Sequence, residues 1–524
     1  MRLPDCRAEL ANERRFAREL FALTAPAEPS TASPPSREHL ERFARHGADE
    51  SGHRIDEQTV DDLELLAATT AVFAPCSKAG HYAAYATLVN GTADTQRDQV
   101  TWKIEVRRNA ETLEPLLEPL RHSADDPLPF LFLGARYPTP AWANHLHVVP
   151  VLLLIGMALV ASGVAAPAGW LCLAIALAGM AYSQIRLHAF LVSWKAVRAG
   201  ICTVLTTAES LIASNAVSHS LPLANIEAIR KALSRSKSQW EWLNEYLNLF
   251  MLREYRCMLA DIRRVERDIE VVRRAFLYCG GIDFLHALGT APQRLGIPWA
   301  DAQHDGTAQA DTLGFEGLVH PGIARPIAFS GLRTNVGGTF ISGQNAAGKS
   351  TLLRAFGVNA LFLRAFAGAF CIRCTGEVTG VISSITATDS MADRESLYAA
   401  ELRRCRELLS AVASTDKVLV LVDEPFRGTN NLEALSASAS VLEFLATRAR
   451  TVVVTHNVIL CTLLPQFLTL QLKRGNNRIS VEPGVLADPN GLLLFDQVVQ
   501  DAHLSSRARY WFERISGDHL RGPH

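Results

Sequence analysis

The chain has 524 residues, with 52 lysines and arginines against 53 aspartates and glutamates, for a formal net charge of −1. This balance excludes a polybasic protein that coats nucleic acid through bulk charge, although it leaves room for a local DNA-binding surface. Hydrophobic residues make up 48% and charged residues 20%, which excludes global disorder and provides material for several cores. The cysteines lack regular spacing and no secretory signal opens the chain, so we expect reduced thiols in a cytosol-facing protein.

The N-terminal part of the chain is predicted to be helical, with an early linker. Residues 1–36 combine a short amphipathic helix with a stretch rich in proline, serine and alanine, which is typical of a flexible connection. Residues 37–136 show mainly helical patterning of apolar side chains. We therefore expect a helical segment ahead of the most hydrophobic part of the chain.

The most hydrophobic part of the chain is predicted to cross a membrane twice. No Asp, Glu, Lys or Arg occurs in residues 137–185. Two almost wholly apolar segments, approximately 146–166 and 168–186, approach the roughly 20 residues that a spanning helix needs. Helices in the core of a soluble protein normally carry a polar face, which both segments lack. We expect two transmembrane helices within 137–186, joined at a turn marked by Pro167.

Basic residues flank this hairpin on both sides. Arg136 precedes it, and Arg186, Lys195 and Arg198 follow it. The positive-inside rule places such flanks on the cytoplasmic side of a membrane. We therefore expect both long flanks in the cytoplasm and only the short turn outside.

After the hairpin, the pattern changes from helical to alternating. Residues 187–305 are predicted to form a further helical segment. Residues 306–490 alternate short β-rich runs with helical stretches, which predicts an α/β domain built on a parallel sheet. Residues 491–524 form a C-terminal tail.

A phosphate-binding loop follows a strand-like run of the α/β domain. Residues 343–350 read GQNAAGKS, which fits G-x-x-x-x-G-K-[ST] between a strand and a helix. The backbone N–H groups of such a loop and the N-terminus of its helix face an anion. Lys349 is expected to bridge the β- and γ-phosphates of ATP, and Ser350 to hold Mg²⁺. The predicted nucleotide-binding residues of the loop are Gly343, Gln344, Asn345, Ala346, Ala347, Gly348, Lys349, Ser350 and Thr351.

Two further strand ends carry the groups that would complete a P-loop NTPase site. A buried-strand pattern ends at Asp423 and Glu424. Asp423 is expected to join Ser350 around Mg²⁺, and Glu424 to polarise the attacking water. Another strand pattern ends at His456, where a side chain can sense the γ-phosphate. The predicted catalytic residues are Glu424, Lys349 and His456.

These motifs resemble the ATPase domain of the MutS family of DNA mismatch-repair proteins. The resemblance extends over roughly residues 315–490. The segment SGQNAAGKSTLLRA resembles the family's phosphate loop. Residues 423–431, DEPFRGTNN, resemble its Walker B element running into an R-G-T motif. Residues 454–457, VTHN, resemble its T-H switch. In combination these motifs are highly specific.

Two more nucleotide contacts are implied by the resemblance. Residues 389–402 resemble the family's signature segment, which implies that Ser396 reaches the nucleotide of a partner subunit in trans. His320 is similar to the first residue of the family's H-P pair near the nucleotide.

The resemblance implies a homodimer that closes through its ATPase domains when ATP binds, and it implies DNA as a partner. The helical segments are similar to the family's core and lever, with the hairpin inserted as in a membrane-spanning bacterial subgroup. The expected location is therefore the bacterial inner membrane, as a multi-pass protein with both large flanks cytoplasmic.

The sequence also departs from the mismatch-repair pattern. It has no segment like the mismatch-reading domain and no aromatic F-x-E wedge. Arg394 and Glu395 stand where repair proteins usually carry Gly-Arg, and Leu397 follows the signature serine in place of threonine. We therefore expect a membrane-tethered ATPase that binds mismatched or unusual duplexes without that domain.

Two alternatives of a different class stay open. The first is a membrane ATPase of the ABC type, which the sequence Asp423-Glu424-Pro425 superficially favours. An L-S-G-G-Q signature is absent, however, and two spanning helices are few for a transport path. The second is a dimeric scaffold that nucleotide controls and that does not act on DNA.

Overall fold

The fold is described by a computed structural model. The described residues are 35–46, 54–91, 93–122, 131–132, 137, 139–163, 165–219, 221–234, 251–303, 312–334, 337–344, 347–385, 397–414, 417–475, 478–484 and 500–519.

Helices make up the described structure ahead of the first strand, as the apolar patterning predicts. Within this part, one 3₁₀ turn covers Ala141–His145. The α-helices are α1 (Arg37–His46), α2 (Glu57–Asp62), α3 (Leu65–Val72), α4 (Lys78–Asn90), α5 (Ala93–Arg108), α6 (Ala110–Arg121), α7 (Val148–Ser162), α8 (Ala166–Ser214), α9 (Leu223–Ser234), α10 (Arg253–Arg267) and α11 (Ile269–Leu295).

The chain divides by its contacts into two units. The first comprises the described residues within Met1–Ala48, Phe73–Ala86 and Thr101–Gly289. The second comprises those within Asp49–Val72, Thr87–Val100 and Thr290–His524. This grouping differs from the sequence segments, because parts of the predicted N-terminal helical segment pack with the α/β domain. The sequence-based domain boundaries stay a prediction.

In the first unit, α7 and α8 form the apolar hairpin. Two described helices, Trp142–Ser162 and Ala166–Ser214, are long and apolar enough to cross a membrane. The chain reverses at Gly163, whose φ of 69° is left-handed. The sequence predicts the reversal around Pro167, but this proline lies in the first turn of α8. Proline suits that position because its missing N–H has no partner in a helix there.

The two helices of the hairpin pack closely through small residues. A Cβ added to Gly169 would lie 2.9 Å from the backbone nitrogen of Val160 and 3.0 Å from the carbonyl oxygen of Gly156. A Cβ added to Gly156 would in turn lie 3.0 Å from the backbone nitrogen of Leu173. Glycine therefore lets the two backbones approach to a distance that any side chain would prevent.

Helix α8 continues past residue 186, where the sequence predicts that the second span ends. It runs without a break for 49 residues, to Ser214. At about 1.5 Å per residue, this helix is roughly 70 Å long. No proline follows Pro167 before Asn215, which ends the helix with a left-handed φ of 50°. One rigid element therefore joins the apolar hairpin to the helical segment beyond it.

A buried ionic cluster links three helical regions of the first unit. Asp283 of α11 is fully buried and accepts a hydrogen bond from the backbone nitrogen of Ser77 at 2.6 Å. It also accepts one from Nε of Arg121 at 2.9 Å. The Arg121 guanidinium continues to Glu114 at 3.0 Å. Removing any one partner would leave a buried polar group without its hydrogen bond, so the cluster fixes the relative positions of α6 and α11.

The second unit is an α/β domain, as the alternating pattern predicts. Its strands are β1 (Ala300–Asp301), β2 (Leu313–Glu316), β3 (Ala328–Ser330), β4 (Leu332–Thr334), β5 (Gly337–Gly343), β6 (Gly368–Ala369), β7 (Arg373–Thr375), β8 (Gly380–Ser384), β9 (Val418–Asp423), β10 (Arg450–Val454), β11 (Leu468–Arg474) and β12 (Arg478–Pro483). Its later helices are α12 (Lys349–Phe366), α13 (Leu397–Ser414), α14 (Asn431–Ala446), α15 (Val458–Leu463) and α16 (Ala502–His519).

The main sheet has seven strands in the order β3-β12-β11-β5-β10-β9-β8. Strands β11, β5, β10, β9 and β8 pair in parallel, which confirms the predicted parallel sheet. Strand β12 runs antiparallel to β11 at one side, so the complete sheet is mixed. The central strands are buried along nearly their whole length, as expected for a parallel sheet covered by helices on both faces.

The short helix α2 packs onto the far edge of this sheet, against β8. Asp62 is buried, and its Oδ2 accepts hydrogen bonds from Oγ of Ser383 at 2.7 Å and from the backbone nitrogen of Ile385 at 2.9 Å. Thr59 Oγ1 accepts from the backbone nitrogen of Ser383 at 3.0 Å and from Nη2 of Arg404 at 2.9 Å. These contacts explain why residues near 60 belong with the α/β domain.

Replacing Asp62 with alanine is expected to lower the free energy of unfolding of this unit by about 2–3 kcal/mol, because two buried donors lose their acceptor. Asp62→Asn retains a carbonyl oxygen that can accept both bonds and should cost less. The measurement is thermal or denaturant unfolding of the purified full-length variants. Equal stability of Asp62→Ala and wild type would contradict this account.

Candidate functional site

The ends of three parallel strands meet at one edge of the main sheet. Val454 of β10 lies opposite Ile341 of β5 on one side and opposite Asp423 of β9 on the other. The segments that follow these strands are the phosphate loop, the acidic pair and the T-H segment. The register of the sheet therefore brings together groups that lie far apart in the sequence.

The lysine of the phosphate loop forms hydrogen bonds to carbonyl groups of the same loop. Gly348 has a φ of 91°, a conformation that glycine adopts without strain, and it is the N-cap residue of α12. Lys349 is the first residue of that helix and is largely buried. Its Nζ donates to the carbonyl oxygens of Gly343 at 2.8 Å and Gln344 at 2.9 Å. Burial lowers the pKa of Lys349, whereas Glu424 and Asp423 raise it. The ammonium group thus lies within the loop, close enough to both acids for their charges to act on it.

The Ser350 hydroxyl joins the loop to the acidic strand. Its Oγ donates to Oδ2 of Asp423 at 2.6 Å. A hydroxyl and a carboxylate are hard oxygen donors of the kind that Mg²⁺ prefers. Within the described residues, no group of three or more His, Cys, Asp or Glu is arranged to hold a metal. Ser350 and Asp423 would supply two oxygen ligands to a Mg²⁺ ion bound beside the loop.

Glu424 lies next to this pair in a strained backbone conformation. Its φ is 49°, which is left-handed and unfavourable for a non-glycine residue. Its backbone nitrogen donates to the carbonyl oxygen of Val454 at 3.0 Å, and its Oε1 accepts from the backbone nitrogen of His456 at 2.6 Å. Burial raises the pKa of Glu424, and the neighbouring Asp423 raises it further. A carboxylate with a raised pKa is a better proton acceptor.

His456 faces the same edge. Its Nδ1 lies 3.5 Å from Nζ of Lys349, and its Nε2 lies 3.7 Å from Oε1 of Glu424. Burial lowers the pKa of His456, and the charge of Lys349 lowers it further. The neutral imidazole is therefore favoured, which leaves a ring nitrogen able to accept a proton. The following residue, Asn457, caps α15 by accepting from the backbone nitrogen of Ile459.

The loop after Glu424 contributes contacts that the sequence did not predict individually. Arg427 donates from Nη2 to the carbonyl oxygen of Asp423 at 2.8 Å and from Nε to that of Glu424 at 3.1 Å. Glu401 of α13 accepts hydrogen bonds from the backbone nitrogens of Arg427 and Gly428. The R-G-T resemblance marked residues 427–429, and Glu401 lies within the signature-like segment 389–402, where the resemblance implied a role for Ser396 alone. Glu401 lies 26 residues before Arg427.

The structure brings Lys349, Ser350, Asp423, Glu424 and His456 together, and their predicted roles stay predictions. Gly343, Gln344, Ala347, Gly348 and Thr351 belong to the same loop and helix start. Asn345, Ala346 and Ser396 lie outside the described residues.

His320 lies in different surroundings. It is buried, with Nε2 3.4 Å from the carbonyl oxygen of Leu63, and its Nδ1 accepts from the backbone nitrogen of Gly322 at 3.2 Å. Burial lowers the pKa of His320. These contacts connect it to the segment that packs beside α2. Its predicted contact with nucleotide stays a prediction.

Comparison with known proteins agrees with this geometry. Residues 339–502 match the family model described as MutS domain V. The match includes the phosphate loop, the acidic pair and the T-H segment.

Several curated relatives are named DNA mismatch repair protein MutS. The protein from Chlorobium phaeovibrioides is 35% identical over 121 residues, which cover 22% of this chain and 13% of that protein. The Synechococcus sp. protein is 35% identical over 158 residues, 28% of this chain and 17% of that protein. A Thermus thermophilus protein is 28% identical over 250 residues, 46% of this chain and 30% of that protein. The chain thus spans less than a third of the length of these relatives.

Proposed function

We propose that this chain is a MutS-like ATPase that binds and hydrolyses ATP with Mg²⁺. The observation that carries the proposal is the hydrogen bond between Ser350 and Asp423, with Lys349 and Glu424 beside it at one sheet edge. P-loop NTPases need this combination of a cation, two oxygen ligands for the metal and a base. The match of residues 339–502 to MutS domain V supports the same assignment.

Each residue of the site has a role that its contacts support. The loop and Lys349 hold the phosphates, and the ammonium moves from the loop carbonyls to a phosphate oxygen. Ser350 and Asp423 hold Mg²⁺, which neutralises charge on the phosphates when bound. Glu424 accepts a proton from the attacking water. Because His456 donates its backbone N–H to Glu424, it orients that carboxylate.

The partners follow from the resemblance. The proposal includes a homodimer formed through the ATPase domains, in which Ser396 of one subunit caps the nucleotide of the other. It also includes binding to mismatched or unusual DNA, which the names of the curated relatives support. ATP then shifts the population towards the closed dimer, because the closed form makes more contacts with the γ-phosphate.

The proposal also includes a membrane tether, through α7 and α8. Large apolar side chains are exposed along both helices, where a soluble protein would normally place polar ones. They are Val148, Val151, Leu154, Ile155, Met157, Trp170, Leu171, Ile175, Leu177, Tyr182 and Ile185. We propose a location in the bacterial inner membrane, with both large flanks cytoplasmic.

Two substitutions test the ATPase assignment. Lys349→Ala should weaken ATP binding at least tenfold, because the phosphates lose their cation. Glu424→Gln should bind ATP with wild-type affinity and hydrolyse it at least a hundredfold more slowly, because the amide cannot accept the proton. Equilibrium binding of a fluorescent ATP analogue and steady-state hydrolysis separate the two effects. The matched control is Glu443→Gln, an exposed carboxylate on α14. A Glu424→Gln variant with wild-type turnover would contradict the assignment.

A duplex-binding experiment tests the DNA proposal. The full-length protein in detergent should bind branched or mismatched duplexes more tightly than homoduplex, and its affinity should fall as salt rises because phosphate contacts release counterions. Fluorescence anisotropy with labelled duplexes measures this, with and without ATP. Absence of binding to every duplex at low salt, together with normal ATP hydrolysis, would favour the scaffold alternative.

Membrane fractionation tests the tether. The wild-type chain should stay with membranes after an alkaline carbonate wash. Leu154→Arg with Leu171→Arg should release a substantial fraction, because each arginine near the centre of a spanning helix costs about 2.5–3.5 kcal/mol. Leu432→Arg is the matched control, because Leu432 is also an exposed leucine, 76% exposed, but lies on α14. Recovery of the wild-type chain in the wash would contradict the tether.

A further inference from the structure

The acidic pair of the candidate site is followed by a loop that is strained at two positions. Glu424 and Phe426 both have left-handed backbone conformations, with φ of 49° and 58°. Such a conformation is unfavourable for a non-glycine residue, so the surrounding structure must hold it in place. The position of the Glu424 carboxylate therefore depends on whatever restrains residues 424–428.

A small pocket lies beside the loop, between α13, the end of β9 and α14. Pro425 and Phe426 of the loop line it, together with Cys405 of α13 and Leu442 of α14. Phe426 is buried, so its ring and the hydrogen bonds of the loop together restrain residues 424–428.

One carboxylate provides that restraint. Oε1 of Glu401 accepts from the backbone nitrogen of Arg427 at 2.8 Å, and Oε2 accepts from that of Gly428 at 3.1 Å. Each oxygen of the Glu401 carboxylate accepts one of these hydrogen bonds, so a single side chain binds two successive backbone N–H groups. Hydrogen bonds to a charged acceptor are stronger than those between neutral groups.

The first turn of α13 also contacts the loop directly. A Cβ added to Gly428 would lie 2.5 Å from the backbone nitrogen of Tyr398, so only glycine allows this approach. The rings of Tyr398 and Phe426 lie 6.3 Å apart. Helix α13 and the loop thus meet at three points: the Glu401 carboxylate, the Gly428 backbone and the Phe426 ring.

The restraint passes from the loop to the acids through the Arg427 side chain. Its guanidinium donates to the carbonyl oxygens of Asp423 and Glu424, at 2.8 Å and 3.1 Å. Once Glu401 fixes the Arg427 backbone, the guanidinium holds the two residues that carry the metal ligand and the base. Glu401 itself has no described contact with Lys349 or Ser350.

We propose that Glu401 is a positioning residue for ATP hydrolysis: it holds the loop after Glu424 so that this carboxylate points at the attacking water. The inference rests on the proposed ATPase activity. It predicts an effect on turnover and little effect on nucleotide affinity, because Glu401 contacts the loop of the base and leaves the phosphate loop untouched.

The test compares Glu401→Ala and Glu401→Gln with wild type and with Glu443→Gln, the exposed control. Glu401→Ala should lower kcat at least tenfold, while KM and the Kd for a fluorescent ATP analogue stay within threefold. Glu401→Gln keeps one acceptor oxygen and should fall between wild type and Glu401→Ala. Hydrogen exchange followed by mass spectrometry should show faster exchange at residues 427 and 428 in both variants, and unchanged exchange in Glu443→Gln.

Several results would overturn this role. One is a Glu401→Ala variant with wild-type kcat, even if its loop exchanges faster. Another is a rise in KM and Kd that matches the fall in kcat, because that would indicate general damage to the nucleotide site. If Glu401→Ala does not fold, the isosteric Glu401→Gln decides by the same criteria. Failure of the ATPase proposal is distinguishable, because wild type would then hydrolyse no more ATP than Lys349→Ala.

Discussion

The parallel register of β5, β10 and β9 is the constraint on which the candidate site depends. Because Val454 lies opposite both Ile341 and Asp423, the residues that follow the three strands emerge at one edge. A slip of one residue would turn Asp423 to the other face of the sheet, away from Ser350. Burial of the central strands makes such a slip costly, so the hydrophobic core of the sheet also protects the geometry of its polar edge.

The unfavourable backbone conformation of Glu424 is held in place by hydrogen bonds from residues outside the strands. The left-handed backbone of Glu424 is unfavourable in isolation, and the hydrogen bonds of Arg427 and Glu401 compensate for it. The position of the Glu424 carboxylate therefore depends on α13 as well as on the sheet. Helix α13 also carries Arg404, which donates to Thr59 and contacts Asp56. The edge of the α/β domain, α13 and the segment around α2 thus form one connected polar network.

The helical unit is built around a single long element. Helix α8 carries half of the apolar hairpin and then continues to Ser214 without a hinge. Close contact between Gly156 and Gly169 holds α7 against it at the other end of the hairpin. A long helix without a kink curves only gently, so one element connects the apolar hairpin to the helical segment beyond it.

The sequence alone determined the features that depend on neighbours in the chain. These are the phosphate loop between a strand and a helix, acids at a strand end, the parallel α/β pattern and an uncharged apolar hairpin. Only the tertiary structure showed that Asp62 binds to β8 and that Glu401 forms hydrogen bonds to the loop after Glu424. It also showed that α8 is unbroken and that the hairpin turns at Gly163. Local patterns predict propensity and burial, because those act over a few residues. They do not predict hydrogen bonds such as the one from Ser383 to Asp62, because partners 321 residues apart are chosen by the packing of the whole domain.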